Sequence, residues 1–394
     1  MRENPDRGGP AASGQTIYLD HHASTPMDDR VIASMTDAMH CLFGNANNVE
    51  HSVGRDAAKA IDRAKAQVAA LVDAEPSDVW FTTGSSDAIR MALDAAVATS
   101  GRSPLRVASM KVEHPALLGA LGALEKAEKI EIVWLAIDGR AQLRFDSLQT
   151  ALALGVDLVC LMAANNEVGT IYPISKAISA SHAAGADILI DATQAAGRIA
   201  LHVEAADADY VIVSGHKIYG PKGAGAVISS LIKPQHWDDL GHRGTPNAPA
   251  IVGFGIAAEL ARAEILQECD HVGRLRDRLE ARLQAELPEL VINGDTSSRL
   301  PQSLHISVPG SLNDAVIALL SDQVAISTGA ACASGALTPS HVLQAMGLAP
   351  TLIDSALRIS PGRFTTARDI DVAGDAIAQA ILDVLHVEKK RIAC

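Results

Sequence analysis

The chain has 394 residues, a formal net charge of −13, and 48% hydrophobic residues of which few are aromatic. An acidic balance without a basic run argues against a nucleic-acid surface, and no apolar run approaches the roughly 18 residues of a membrane helix. The cysteines (Cys41, Cys160, Cys269, Cys332 and Cys394) are scattered, odd in number and without a CxxC. That pattern suits neither a disulfide framework nor a metal or iron–sulfur cage built by this chain alone, and it points to a reducing cytoplasm.

In chain order, residues 1–15 are polar with Gly and Pro and read as a disordered tail, not a signal peptide. His21 and His22 invite a metal reading, but no third ligand has suitable spacing, so no metal is expected. From about Val79 to Val227, short apolar runs alternate with helical stretches. The predicted strands are Val79–Thr83, Arg106–Ser109, Ile130–Leu135, Asp157–Ala163, Asp187–Asp191, Tyr210–Ser214 and Ala224–Ser229. Helices are predicted at Ser86–Ala98, Ala116–Lys126 and Ser175–Ala184. This alternation predicts an α/β fold with a mainly parallel seven-stranded sheet covered on both faces. A long amphipathic helix is expected from about Gly255 to Leu287, stopped by Pro288. Shorter strands and helices follow (SLHISV, Leu312–Leu320, VAIST, ALRIS). The expected domains are a large one over 16–260 and a smaller α+β one over 261–394, with about 16–30 packing on the latter.

Two apolar runs end in chemistry: ILI delivers Asp191, and YVIV delivers Ser214, His216 and Lys217. Ligands of open α/β sheets bind at this carboxyl edge. A lysine there, with an acid 26 residues upstream (217 minus 191), suits an imine to pyridoxal phosphate with a partner for its pyridine nitrogen. Gln194 is placed to reach the neighbouring phenolic oxygen, while Asp191 and Thr193 could equally cap a helix. TTGSSDAIR is a strand, a glycine turn and a helix start, with Ser85 and Ser86 at a phosphate-type site. His114 follows another strand at a helix N-terminus, where it could stack on a ring and move protons, or simply cap. Asn165 and Asn166 end a further strand. Cys332 sits among Gly and Ala in STGAACASGALTPSH, a setting that suits a mobile nucleophile, whereas Cys160 in its apolar strand reads as core. Arg358 on a short apolar strand suits a substrate carboxylate, or an internal salt bridge.

Together, DATQ, SGHKIYGPKG and STGAACASG in this order, with YLDHHASTP, FGNANNVEHSVG and SPGRFTT, resemble the cysteine desulfurases. These belong to the class V aminotransferase group of fold-type I pyridoxal-phosphate enzymes, and the likeness spans nearly the whole chain. The resemblance implies Lys217 as the imine lysine and Cys332 as the persulfide-forming nucleophile. It also implies His114 on the ring face, Asp191 on the pyridine nitrogen and Gln194 on the phenolic oxygen. Ser85, Ser86, Ser214 and His216 would hold the phosphate, joined by Thr245 from the other subunit of a homodimer; Asn166 and Arg358 would hold the substrate carboxylate. The implied reaction converts L-cysteine to L-alanine and leaves sulfur on Cys332 for an acceptor protein, as in iron–sulfur cluster assembly or another thio-modification. Two departures stand out: Ser86 replaces the family's usual Thr, and Leu231–Asn247 is short of a glycine-rich stretch. A selenocysteine or cysteine lyase of the same fold and a weakened sulfur-relay scaffold are the alternatives.

Overall fold

The computed structural model describes residues 16–201, 207–233, 244–329 and 339–393. Its strands are β1 (Ile17–Tyr18), β2 (Val79–Thr82), β3 (Leu105–Met110), β4 (Ile130–Leu135), β5 (Leu158–Met162), β6 (Asp187–Asp191), β7 (Tyr210–Ser214), β8 (Gly225–Ile228), β9 (Val291–Ile292), β10 (Leu304–Ser307), β11 (Val324–Ala325) and β12 (Ala356–Ile359). The main sheet has seven strands in the order β2-β8-β7-β6-β5-β3-β4. Only β8 runs against the others, pairing antiparallel with β2 and β7. All seven strands expected from the sequence are present, and the fold class stands.

The central strands read as unbroken apolar runs because both sheet faces are covered. In β5, Val159 and Leu161 join one core cluster while Leu158 and Cys160 join the cluster on the opposite face. β6 and β7 divide likewise, with Ile190 and Val213 on one side and Leu189 and Ile212 on the other. Each such fully buried aliphatic side chain contributes about 1.5–3 kcal/mol over an exposed one.

A third cluster collects Leu304, Ile306, Leu357 and Ile359 of the β12-β10-β9 sheet, Ile370 and Ile377 of the Ala367–Ala393 helix, and Leu275, Leu279 and Leu283. Ile17 and Leu19 belong to it as well, because β1 pairs in parallel with β11.

The long helix begins at Ala248, seven residues earlier than the pattern suggested, and runs to Glu286. Asn247 caps it through Ala250 N, and its first turns are glycine-rich because neighbours press close. A Cβ on Gly253 would lie 2.5 Å from Met35 Cγ, and one on Gly255 2.8 Å from Ala64 Cα. Its first half carries Phe254 and Ala258 into the main core and its second half carries Leu279 into the C-terminal cluster.

A buried charge cluster joins this helix to both chain ends. Arg363 donates to Glu268 (2.8 and 2.7 Å) and to Asp28 (3.0 Å), with its guanidinium 4.4 Å over the Tyr219 ring. Asp28 and Glu268 are themselves buried. Arg363→Met should therefore lower stability by about 3–5 kcal/mol, since it leaves the buried Glu268 without the cation it pairs with, while Asp28 keeps Arg30 at 2.7 Å; the denaturant midpoint of the variant measures this, and Arg363→Lys should recover part of it.

Candidate active site

The site forms where β5, β6 and β7 end side by side, Met162 opposite Asp191 and Asp191 opposite Ile212. β7 closes on Ser214, and a single 3-10 turn, Gly215–Lys217, lifts the lysine off the sheet edge. The chain then folds back through Tyr219 at φ 62°. Gly220 is required there, since a Cβ would lie 2.8 Å from Gly215 O and 2.9 Å from Ala257 Cβ.

Residues 20–25 lie across this turn. Lys217 Nζ donates to His22 O (2.5 Å) and Ala23 O (3.1 Å), and the Lys217 carbonyl accepts from Arg198 Nη2 at 2.7 Å. Thr25 staples the same loop: its N–H and its hydroxyl both donate to His216 O, and Tyr219 N donates to its Oγ1 at 2.8 Å.

Beside the turn lies a cleft of about 460 Å³, lined by Ser85, Ser86, Ser214, His216, Lys222 and residues next to them. Its floor is the start of the Ser85–Thr99 helix, whose N-cap is Gly84 at φ 149°, with no side chain capping the first N–H groups. Those amides and the helix dipole favour an anion. Ser214 Oγ is buried without a hydrogen bond. His216 Nδ1 stands 3.5 Å from Ser24 Oγ. Burial, then the charges of Lys217 and Lys222, lower the His216 pKa to about 4, so its ring is neutral at pH 7.

Across from the turn, His114 uses Nδ1 to cap its own helix through Ala116 N (3.1 Å), so the capping role is realised. Burial lowers its pKa, partly offset by the Asp191 carboxylate and reinforced by Lys217 and His341. Asp191 accepts from Thr193 N at 3.0 Å. Gln194 spends one amide hydrogen on His22 O (2.9 Å), and its Oε1 is buried without a hydrogen bond.

The two asparagines separate in role. Asn165 holds its own turn, accepting from Glu167 N and Val168 N, while Asn166 Oδ1 is buried without a hydrogen bond. Arg358 is 3% exposed and pairs with Asp20 at 2.8 Å, donating also to Asn166 O. The internal salt bridge weighed for it is thus present.

Lys217, Asp191, Gln194, Ser214, His216 and His114 converge with Asn166 and Arg358. Thr245 does not: it is exposed, just before the Ala248–Glu286 helix. Cys332 and Cys394 lie outside the described residues, and Cys160 is buried in β5 as expected.

Sequence reasoning missed Asp20 and Glu113. Glu113 Oε1 accepts from Met162 N at 2.9 Å, and its other oxygen is buried without a hydrogen bond. Burial, with the Asp191 charge adding to it, raises its pKa well above the usual carboxylate range, which favours its protonated form. The signal was its place beside His114 at the end of an apolar strand.

The orphaned atoms Ser214 Oγ, Gln194 Oε1 and Asn166 Oδ1, the uncapped helix start and the edge lysine fit a phosphorylated ring with polar substituents. The donor set is therefore compatible with pyridoxal phosphate.

Burial also shapes pH dependence. His21 Nδ1 donates to Ser360 O (2.9 Å), and burial above all lowers its pKa to about 4. The unfolded chain binds this proton more readily, so the stabilisation is complete above about pH 6.5 and is lost as pH falls through about 4. His21 alone should account for on the order of 3 kcal/mol of that loss. Denaturant midpoints of wild type and His21→Gln between pH 7 and 4 test it: the variant keeps a donor for Ser360 and should show a flatter profile.

Residues 17–372 match the family described as aminotransferase class-V. A relative from Anaeromyxobacter sp. (strain Fw109-5), named cysteine desulfurase IscS, is 38% identical over 365 residues, covering 90% of each chain. Among solved structures, a NifS-like protein superposes with TM-score 0.83 at 28% identity, over 93% of this chain and 100% of the other. SspA in complex with cysteine superposes with TM-score 0.75 at 26% identity, over 89% and 100%. The chain belongs to the aminotransferase class-V family.

Proposed function

We propose that this protein is a pyridoxal-phosphate-dependent cysteine desulfurase that converts L-cysteine to L-alanine and leaves the sulfur on Cys332 as a persulfide. The observation that carries the reading is the edge lysine, Lys217, set between a carboxylate at the next strand end and an uncapped helix start. The names of the relatives support the substrate.

Ser85, Ser86, Ser214 and His216 would hold the cofactor phosphate, Asp191 its ring nitrogen, Gln194 its phenolic oxygen, and His114 its face. Thr245, exposed on the single chain, suits a contribution to the partner subunit of a homodimer. Pyridoxal phosphate supplies, when bound, a sink for the electron pair released at the substrate Cα.

Arg358 and Asn166 would orient the substrate carboxylate, with the guanidinium keeping Asp20 as its second partner. The Lys217 amine takes the Cα proton and holds it at Nζ for return to carbon. Cys332, as thiolate, attacks the substrate sulfur: an S–S bond forms, the C–S bond breaks, its electron pair stays on carbon, and a proton completes alanine. The persulfide then passes to an acceptor thiol of a partner protein, for iron–sulfur clusters or another thio-modification. Among the described residues no helix is long and apolar enough to cross a membrane; the scattered cysteines favour the cytoplasm.

Incubation with L-cysteine should give alanine, with the persulfide mapped to Cys332 by mass spectrometry. Cys332→Ala should lower alanine formation at least about a hundredfold, and Lys217→Ala should abolish absorption near roughly 400 nm. A persulfide elsewhere would sink the mechanism. Turnover of selenocysteine but not cysteine would favour a lyase, and failure to take up cofactor a relay scaffold.

A further inference from the structure

Arg198 is a buried cation that the chemistry above does not use. It is 3% exposed, and among the described residues no carboxylate pairs with it. Its Nη2 donates to Lys217 O at 2.7 Å and, less closely, to His21 O at 3.4 Å, while its Nε is buried without a hydrogen bond. The backbone beneath it is held on both sides. Arg198 N donates to Ala195 O (3.0 Å), and Cys269 Sγ, on the long helix, donates to Arg198 O (2.8 Å). The guanidinium therefore reaches the Lys217 turn from a rigid base.

The two cations share a neighbour. Lys217 Nζ donates to the His22 carbonyl, and the charges of Arg198 and Lys217 both lower the proton affinity of the His22 ring. Nearby carboxylates are engaged elsewhere: Glu268 on the long helix holds Arg363, and Asp20 holds Arg358. Asp191, at the end of β6, is the opposing charge on the sheet side. His22, His114 and His216 bring little charge, since burial above all lowers their proton affinities, and Lys222 is exposed to solvent.

Two effects then compete at the Lys217 amine. The carbonyls of His22 and Ala23 favour its ammonium form, because they accept from it. A fixed cation close by opposes that form, one of the general ways in which a lysine is made nucleophilic or basic. A guanidinium buried against carbonyls is a poor device for stability, since an apolar side chain of similar volume commonly serves as well or better. It is a good device for holding one carbonyl while placing a charge.

We infer that Arg198 is a positioning residue for Lys217: it anchors the Lys217 carbonyl, and its fixed charge weighs against the ammonium form of the lysine. The use of a neutral amine rests on the desulfurase reading, but the effect of Arg198 on the amine does not.

The test is competitive acetylation of the full-length, cofactor-free chain with acetic anhydride across a pH series. Mass spectrometry reads the ratio of Lys217 to Lys59, whose side chain is 77% exposed and serves as internal reference. Arg198→Met, which keeps the volume and drops the charge, should raise the pH at which Lys217 becomes reactive by at least about half a unit. Arg198→Lys, which keeps the charge, should stay near wild type. In the cofactor-loaded protein, the pH at which the absorption near roughly 400 nm titrates should rise in the same order. An unchanged midpoint in Arg198→Met overturns the inference, as does an equal rise in Arg198→Lys. Should Arg198→Met fail to fold, Arg198→Gln, which keeps a donor for the Lys217 carbonyl without the charge, should show the rise, and an unchanged midpoint there is equally decisive. If neither variant folds, the guanidinium serves the fold and the inference is overturned. The desulfurase reading fails separately, if wild type forms no alanine from L-cysteine, and the amine midpoint still decides for Arg198.

Discussion

Two cations, Lys217 just past β7 of the main sheet and Arg358 on β12 of the three-stranded sheet, must be satisfied in a largely buried setting, and one short segment serves both. A buried charge left without partners costs several kcal/mol. His22 and Ala23 give Lys217 their carbonyls, and Asp20 gives Arg358 its carboxylate. The segment is itself anchored, since His21 Nδ1 bonds Ser360 O, Ser360 Oγ accepts from His22 N, and Thr25 bonds His216 O. Residues 20–25, 214–219 and 358–360 therefore close into one node. Gly362 is part of the same constraint, because a Cβ there would lie 2.1 Å from His21 Cδ2.

The node decides the electrostatics around it. Burial, with cations close by, lowers the proton affinity of His21, His22, His216 and His305, so the imidazoles are neutral at pH 7. Positive charge is then concentrated on lysine and arginine and not spread over rings. Carbonyls hold the Lys217 ammonium with dipoles, more weakly than the carboxylate that holds Arg358. Under the proposed function Lys217 gives up a proton and Arg358 keeps its own, and the segment offers the two different partners, carbonyls to one and a carboxylate to the other. Neutral imidazoles between fixed cations make a setting matched to anionic and zwitterionic molecules.

Much of this was legible in the sequence for a simple reason. Strands buried on both faces appear as unbroken apolar runs, and the polar residues that end them, Asp191, Ser214 and Lys217, mark the site edge. The long helix was read too short because Pro249, Gly253 and Gly255 look like breakers; close packing against Met35 and Ala64 overrides that local signal. Asp20 was not legible as a site residue. Its partner, Arg358, lies 338 residues away, and nothing in local periodicity announces such a pair. Arg358 itself was visible as an arginine out of place on an apolar strand, but which of its two partners it held was not.

Glu113 shows how the fold arranges charge without adding ions. Its carboxyl lies close enough to Asp191 for that charge to raise its pKa further, on top of burial. Two like charges so placed would oppose each other, which favours the proton on the more deeply buried group. Glu113 Oε1 accepts from Met162 N, which ties it to the end of β5, while its carbonyl accepts from His341. Through these two bonds Glu113 holds the β3 end against β5, and the raised proton affinity of its carboxyl lessens its repulsion of Asp191. The negative charge at the strand ends beside His114 is then that of Asp191, and it is what sustains the proton affinity of His114 against burial and the neighbouring Lys217.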